Sequence, residues 1–128
     1  MVNWKNGIVS IDNELIVQPG YSWGRFIETS FFSGQDVIRE FILDRRVIID
    51  NHKYAVSIFF SKQIVNTLSL VCCDIEYSME REKERKTLHD KILQQYGLAE
   101  YNKFSWGKII SSYDEKGNVS SIDFYYDE

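Results

Sequence analysis

Apolar residues open the chain in two short β-rich runs, "GIVSI" and "ELIV", on either side of Asp12-Asn13, a pair suited to the two-residue turn of a hairpin. The pattern predicts strands near 7–11 and 14–18. Pro19-Gly20 then turns the chain ahead of Ser22, a candidate N-cap; Trp23, Phe26, Ile27 and Phe31 follow at helical spacing, with Gly34 as a stop. This predicts a short helix near 23–31, weakened by Gly24. From Asp36 to Ile75 the pattern changes to strand, because "VIREFIL", "RVIID", "KYAVSIFFS" and "IVNTLSLVCCDI" are rich in β-branched and aromatic residues and carry no helical period. Tyr54, Val56, Ile58 and Phe60 alternate with Lys53, Ala55, Ser57 and Phe59, so one face of that strand is buried and the other partly covered. The next run is apolar on both faces, as in a central strand. The ending "KFSWGKIISSYDEKGNVSSIDFYYDE" reads as two β runs joined by the turn-rich "DEKGN", a final hairpin.

Between these strands, "SMEREKERKTLHDKILQQYG" reads as a helix near 79–96 that Gly97 ends. Its second half carries an apolar stripe, Leu88, Ile92 and Tyr96 with Leu93 at the margin and His89 on the flank. Extended backwards, the same stripe runs through Tyr77, Arg81 and Arg85. Either the first turns overhang the core or the arginine stems lie on the sheet edge with their heads in water. The remaining charges mix both signs, and Glu82 with Lys86 and Glu80 with Lys83 are spaced to pair along the helix. A solvated, self-paired face is the expectation, and a partner met by Arg81 and Arg85 is the alternative. Sheet, helix and sheet again imply one α+β domain over 1–128, with an antiparallel sheet of about six to eight strands, a short N-terminal helix and the longer helix near 79–96.

Composition supports a folded chain. The 128 residues are 44% hydrophobic and 15% aromatic with one proline, which argues against a disordered tail or a linker. The formal charge of -4, with no basic run, disfavours nucleic acid and favours a basic partner. No apolar run suits a signal or a membrane span, and the two cysteines, Cys72 and Cys73, are neighbours that would point to opposite faces of a strand. A cytoplasmic protein with free thiols is expected.

The chemistry in the sequence is sparse. His52 and His89 have no ligand at metal-binding spacing, and no glycine-rich phosphate loop occurs, so neither a metal nor a cofactor is expected. A meeting in space of either histidine with Cys72 or Cys73 stays open. The acidic pairs Asp114-Glu115 and Asp127-Glu128 read as surface groups. What remains is a surface. If Ile122, Phe124 and Tyr126 face the core, then Ser121, Asp123 and Tyr125 face outward, with Ile109, Ser111 and Tyr113 expected beside them on the preceding strand. Tyrosines there, with Asp114, Glu115, Asp127 and Glu128 nearby, suit a basic protein surface.

The opening "GIVSIDNELIVQPGYSWGRFIETS" and the ending "YGLAEYNKFSWGKIISSYDEKGNVSSIDFYYDE" resemble the small acidic immunity proteins of bacterial polymorphic toxins, including those of contact-dependent growth inhibition. The likeness is one of layout: hairpin and short helix, central meander, a "YG" helix end and a "WGKI" to "YDEKG" hairpin. It implies a cytosolic, non-enzymatic antitoxin that binds one cognate toxin across its active site or an exosite. No functional residue transfers by direct match; the candidate contacts from the residues themselves are Tyr113, Asp114, Glu115, Asp123, Tyr125, Asp127, Arg81 and Arg85. The competing expectations are a small-molecule-binding or enzymatic domain, with a pocket between helix and sheet near Trp23 and Trp106, and a homo-oligomeric structural subunit.

Overall fold

A computed structural model describes residues 1–34 and 40–127 of the chain. Among them are ten strands and two α-helices: β1 (Val2–Asn3), β2 (Ile8–Ile11), β3 (Leu15–Val17), α1 (Trp23–Phe26), β4 (Glu40–Ile42), β5 (Val47–Ile49), β6 (His52–Ser61), β7 (Ile64–Cys72), α2 (Glu82–Gln95), β8 (Tyr101–Phe104), β9 (Gly107–Asp114) and β10 (Val119–Tyr126). The chain is α+β, as its patterning predicts, and every strand pairing is antiparallel.

Local chemistry accounts for most boundaries. The turns at Asp12-Asn13, Asp50-Asn51 and Lys62-Gln63 hold both residues at positive φ, the geometry whose twist matches the strands of a tight hairpin. Asp and Asn tolerate that conformation, whereas Lys62 and Gln63 adopt it at a steric cost. Ser22 caps α1, its hydroxyl accepting the Arg25 N–H at 3.2 Å. The helix stops at Phe26, short of the expected Phe31: the N–H groups of Glu28, Thr29 and Phe32 donate to carbonyls three residues back, and the Thr29 hydroxyl also donates to the Phe26 carbonyl at 2.8 Å, so the chain continues in separate turns. A 3-10 turn at Met79–Arg81 leads into α2. The Val37–Arg39 part of the run expected as strand lies outside the described residues, and β1 and β8 are strands that the apolar pattern did not predict.

The first three strands form a small sheet of their own in the order β1-β2-β3. The others form a seven-stranded sheet, β4-β6-β7-β10-β9-β8, in which β5 also pairs with β6, so β4 and β5 follow one another along the same edge of β6. β7 is central, as expected, but its two faces differ: Leu68, Leu70 and Cys72 point into the core, whereas Thr67 and Ser69 point to the other side. The long connection from β7 to β8, at the far edge of the sheet, carries α2 over one face, where it meets β7, β9 and β10.

The core lies between that face and a cover made of α2, α1 and the small sheet. Phe26 packs at 4.6 Å from Phe41 and 5.8 Å from Phe60 at one end. Trp4 stacks on Phe124 and meets Tyr96 at the other, which brings the small sheet to the helix side. Trp106 lies over Gly7, where a Cβ would come within 2.7 Å of its ring, and donates from Nε1 to the Lys5 carbonyl at 2.7 Å. Trp23 and Trp106 thus belong to different aromatic groups, Trp23 with Phe26, Phe32 and Phe60 and Trp106 with Phe104, Phe124 and Tyr126. Among the described residues no element packs on the opposite face of the large sheet.

Candidate functional site

The charged start of α2 has a structural purpose. β7 and β10 pair from Thr67–Tyr125 to Leu70–Ile122 and then part, leaving the backbones of Cys72 and Ser120 without each other. Side chains of α2 fill the gap. Glu82 accepts the Ser120 N–H at 3.1 Å, Arg85 donates to the Cys72 carbonyl at 2.6 Å, and His89 Nε2 accepts the Cys72 N–H at 3.0 Å. Arg85 also pairs with Glu82 at 3.0 Å, both side chains nearly buried, so each buried backbone group has a partner and the charges compensate.

Three expectations are corrected by this arrangement. His89 is not on the flank but fully buried at the centre of the covered helix face, and burial, with Arg85 nearby, lowers its pKa to about 4. Glu82 pairs with Arg85 rather than Lys86, Arg81 with Glu84, and Lys86 with Asp90 and Glu100. Arg85 is therefore committed to the sheet and is not free for a partner. Arg81 remains at the surface, paired with Glu84 at 2.5 Å.

The open face of the large sheet carries the other polar feature. Its rows include Ser57 and Phe59 from β6, Thr67 and Ser69 from β7, Ser121, Asp123 and Tyr125 from β10, and Lys108, Ile110, Ser112 and Asp114 from β9. Phe59, Thr67, Ser69, Asp123 and Tyr125 line a concavity of about 380 Å³ together with Ser112 and Asp114. Asp123 lies at its floor, 6% exposed. Ser69 donates to its Oδ1, and Ser112 and Tyr125 donate to Oδ2 at 2.9 and 3.4 Å. Among the described residues it forms no ion pair. A carboxylate held by hydroxyls, nearly removed from water and lacking a counter-ion, is prepared to receive a cationic group from outside. Exposed apolar side chains stand on the same face, Ile42 at 64% and Ile48 at 61%.

Compared with known protein families, curated proteins and solved structures, this chain matches none.

The residues singled out from sequence divide between these places. Asp114, Asp123 and Tyr125 come together at the concavity. Tyr113 does not join them: the hairpin register sets Ser112 opposite Ser121, so Ser112 and Asp114 face outward while Ile109, Ser111 and Tyr113 face the helix. The Tyr113 hydroxyl donates to Asn118 at 2.6 Å and its ring lies 5.4 Å from Lys83 Nζ on α2. Glu115 is in the exposed β9–β10 turn, and Asp127 follows β10 at the sheet's far end, its N–H donating to the Trp106 carbonyl.

A second cluster had no local signal. His52 begins β6 and Cys72 ends β7, where the ladder sets Tyr54 opposite Cys72 and thus His52 beside Asp74. His52 Nδ1 lies 2.6 Å from Asp74 Oδ2, and the Lys53 N–H donates to Asp74 Oδ1 at 2.8 Å. One ligand atom each from His52, Cys72 and Asp74 falls within 4.8 Å of the others. Burial raises the Cys72 thiol to about 11, with the Asp74 charge adding to it. Desolvation opposes the ionised form of Asp74, yet the hydrogen bonds from Lys53 and His52 hold its carboxyl below the usual range. Cys73 points the other way, as alternation requires.

Proposed function

We propose that this protein is an immunity-type inhibitor that takes a basic protein toxin on the open face of its seven-stranded sheet and neutralises it by occlusion. The observation that carries the reading is Asp123, a hydroxyl-held carboxylate at the floor of a concavity with no cation of its own among the described residues. A lysine or arginine of the partner would enter there, and Phe59 and Tyr125 of the lining would supply apolar contact around it, with Ile42 and Ile48 exposed farther out on the same face. The net charge of -4 favours association with a basic surface, and the layout of hairpin, meander and terminal hairpin resembles that of immunity proteins. Affinity comes from excluding water around one desolvated charge pair and its apolar surround, and inhibition from covering the toxin's active site or an exosite. Such a protein is cytoplasmic and non-enzymatic.

The test is co-expression with the protein encoded immediately upstream, scored by growth. Rescue of growth, together with a complex that co-purifies at nanomolar affinity or tighter, is the expected result. A toxic upstream product that this protein neither rescues nor binds would contradict the proposal.

A further inference from the structure

We propose that His52, Cys72 and Asp74 form a zinc site with three protein ligands and an open fourth position. The argument begins with the ladder. Cys72 and Asp74 are two apart along one chain and therefore share a side, and the β6–β7 register brings His52 to them from the neighbouring strand. Thiolate, imidazole and carboxylate are the ligand types that zinc selects, and their donor atoms here lie within 4.8 Å of one another. Bonds of about 2.0–2.3 Å to a tetrahedral ion place ligand atoms roughly 3.3–3.7 Å apart, so closure requires side-chain movements of about an ångström.

The surroundings hold the ligands in place. The Lys53 N–H occupies Asp74 Oδ1, as an outer hydrogen bond does for a ligating carboxylate, while Oδ2 and His52 Nδ1, which face each other at 2.6 Å, part to admit the ion between them. The Cys72 backbone is fixed at both ends, its N–H by His89 and its carbonyl by Arg85. The His52 and Asp74 side chains are 22% and 32% exposed, so the ion has a route in from solvent and a side on which water completes the coordination. On binding, the Cys72 thiol releases its proton to solvent and bonds as thiolate. Neutral His52 bonds through Nδ1 with its proton on Nε2. Thiolate and carboxylate then balance the two positive charges of the ion.

This site is independent of the toxin-binding face, and its test reads metal directly. The full chain, stripped with chelator, is titrated with cobalt(II) as a spectroscopic stand-in for zinc. The expected result is one equivalent bound, with a thiolate charge-transfer band in the near ultraviolet and visible bands of a four-coordinate ion, all removed by zinc. Cys72→Ser abolishes the charge-transfer band, Cys73→Ser leaves it, and His52→Ala and Asp74→Asn each weaken binding by tenfold or more. Because Cys72 is buried, circular dichroism accompanies its variant, and the partly exposed His52 and Asp74 carry the decision if that variant does not fold. Absence of the band with excess cobalt, or unchanged affinity in both His52→Ala and Asp74→Asn, overturns the site and leaves a His–Asp hydrogen bond over a buried thiol.

Discussion

His89 makes the fold sensitive to mild acid. Its Nε2 accepts from the Cys72 N–H, so the neutral ring carries its proton on Nδ1, which has no hydrogen-bond partner among the described residues. Around it stand Arg85 and Lys86, which oppose a positive imidazole, and Asp90, which favours one, while Cys72 faces it from β7. Burial is the largest influence, and the folded pKa falls from 6.5 to about 4. The unfolded chain therefore binds this proton first as pH drops. Stability is complete above pH 6.5, declines between 6.5 and 4, and changes no further below 4 on account of this residue. At about 1.4 kcal/mol per unit, a shift from 6.5 to about 4 corresponds to about 3 kcal/mol in all, of which about 2 kcal/mol is lost between pH 7 and 5. Urea unfolding in the presence of chelator measures it, since a loss of about 2 kcal/mol lowers the midpoint by about 1 M for a domain of this size. His89→Gln keeps an acceptor for the Cys72 N–H and removes the titration, so its stability should stay nearly level over the same range. Equal slopes for the wild type and His89→Gln would refute the reasoning.

Two further substitutions test the fold. Replacing Lys62-Gln63 with Asn-Gly should raise stability by about 1 kcal/mol, because the pair sits at φ of 52° and 67° and the new residues accept that geometry; an unchanged urea midpoint would mean the turn is not strained. Glu82→Gln should cost about 3 kcal/mol, since it strands the nearly buried Arg85 charge, and the cost should shrink when Arg85→Met is added; a loss under about 0.5 kcal/mol would place the pair among ordinary surface bridges.

The alternation along β10 was readable from sequence because a half-buried strand has period two, and Asp123 and Tyr125 do face outward. Its neighbour β9 has the opposite parity to the one its sequence suggests. Register there depends on how the Glu115–Asn118 turn closes, and with Asp114 opposite Val119 it is Ser112 and Asp114 that share the face of Asp123. The longer helix was legible as an element but not in its rotation. An apolar stripe locates a buried face only where the sheet offers apolar surface, whereas here the parted ends of β7 and β10 offer free backbone groups and draw in Glu82, Arg85 and His89. That parting is a property of the assembled sheet. The same holds for His52, Cys72 and Asp74, whose spacing along the chain means nothing until β6 and β7 pair. The short strand β8, Tyr101–Phe104, owes its assignment to pairing with β9 rather than to its own pattern.

The affinity of the purified protein for the proposed partner, the protein encoded immediately upstream, measured for the wild type, Asp123→Asn and Lys91→Glu, tests the central claim most directly. Asp123→Asn keeps the shape of the concavity floor and removes its charge, so loss of a desolvated pair should cost about 2–5 kcal/mol, a weakening of roughly thirtyfold or more. Lys91 lies exposed on α2, across the sheet from the concavity, and its reversal should change affinity by less than about threefold. Wild-type affinity in Asp123→Asn, or a larger loss in Lys91→Glu, would contradict binding at the open face.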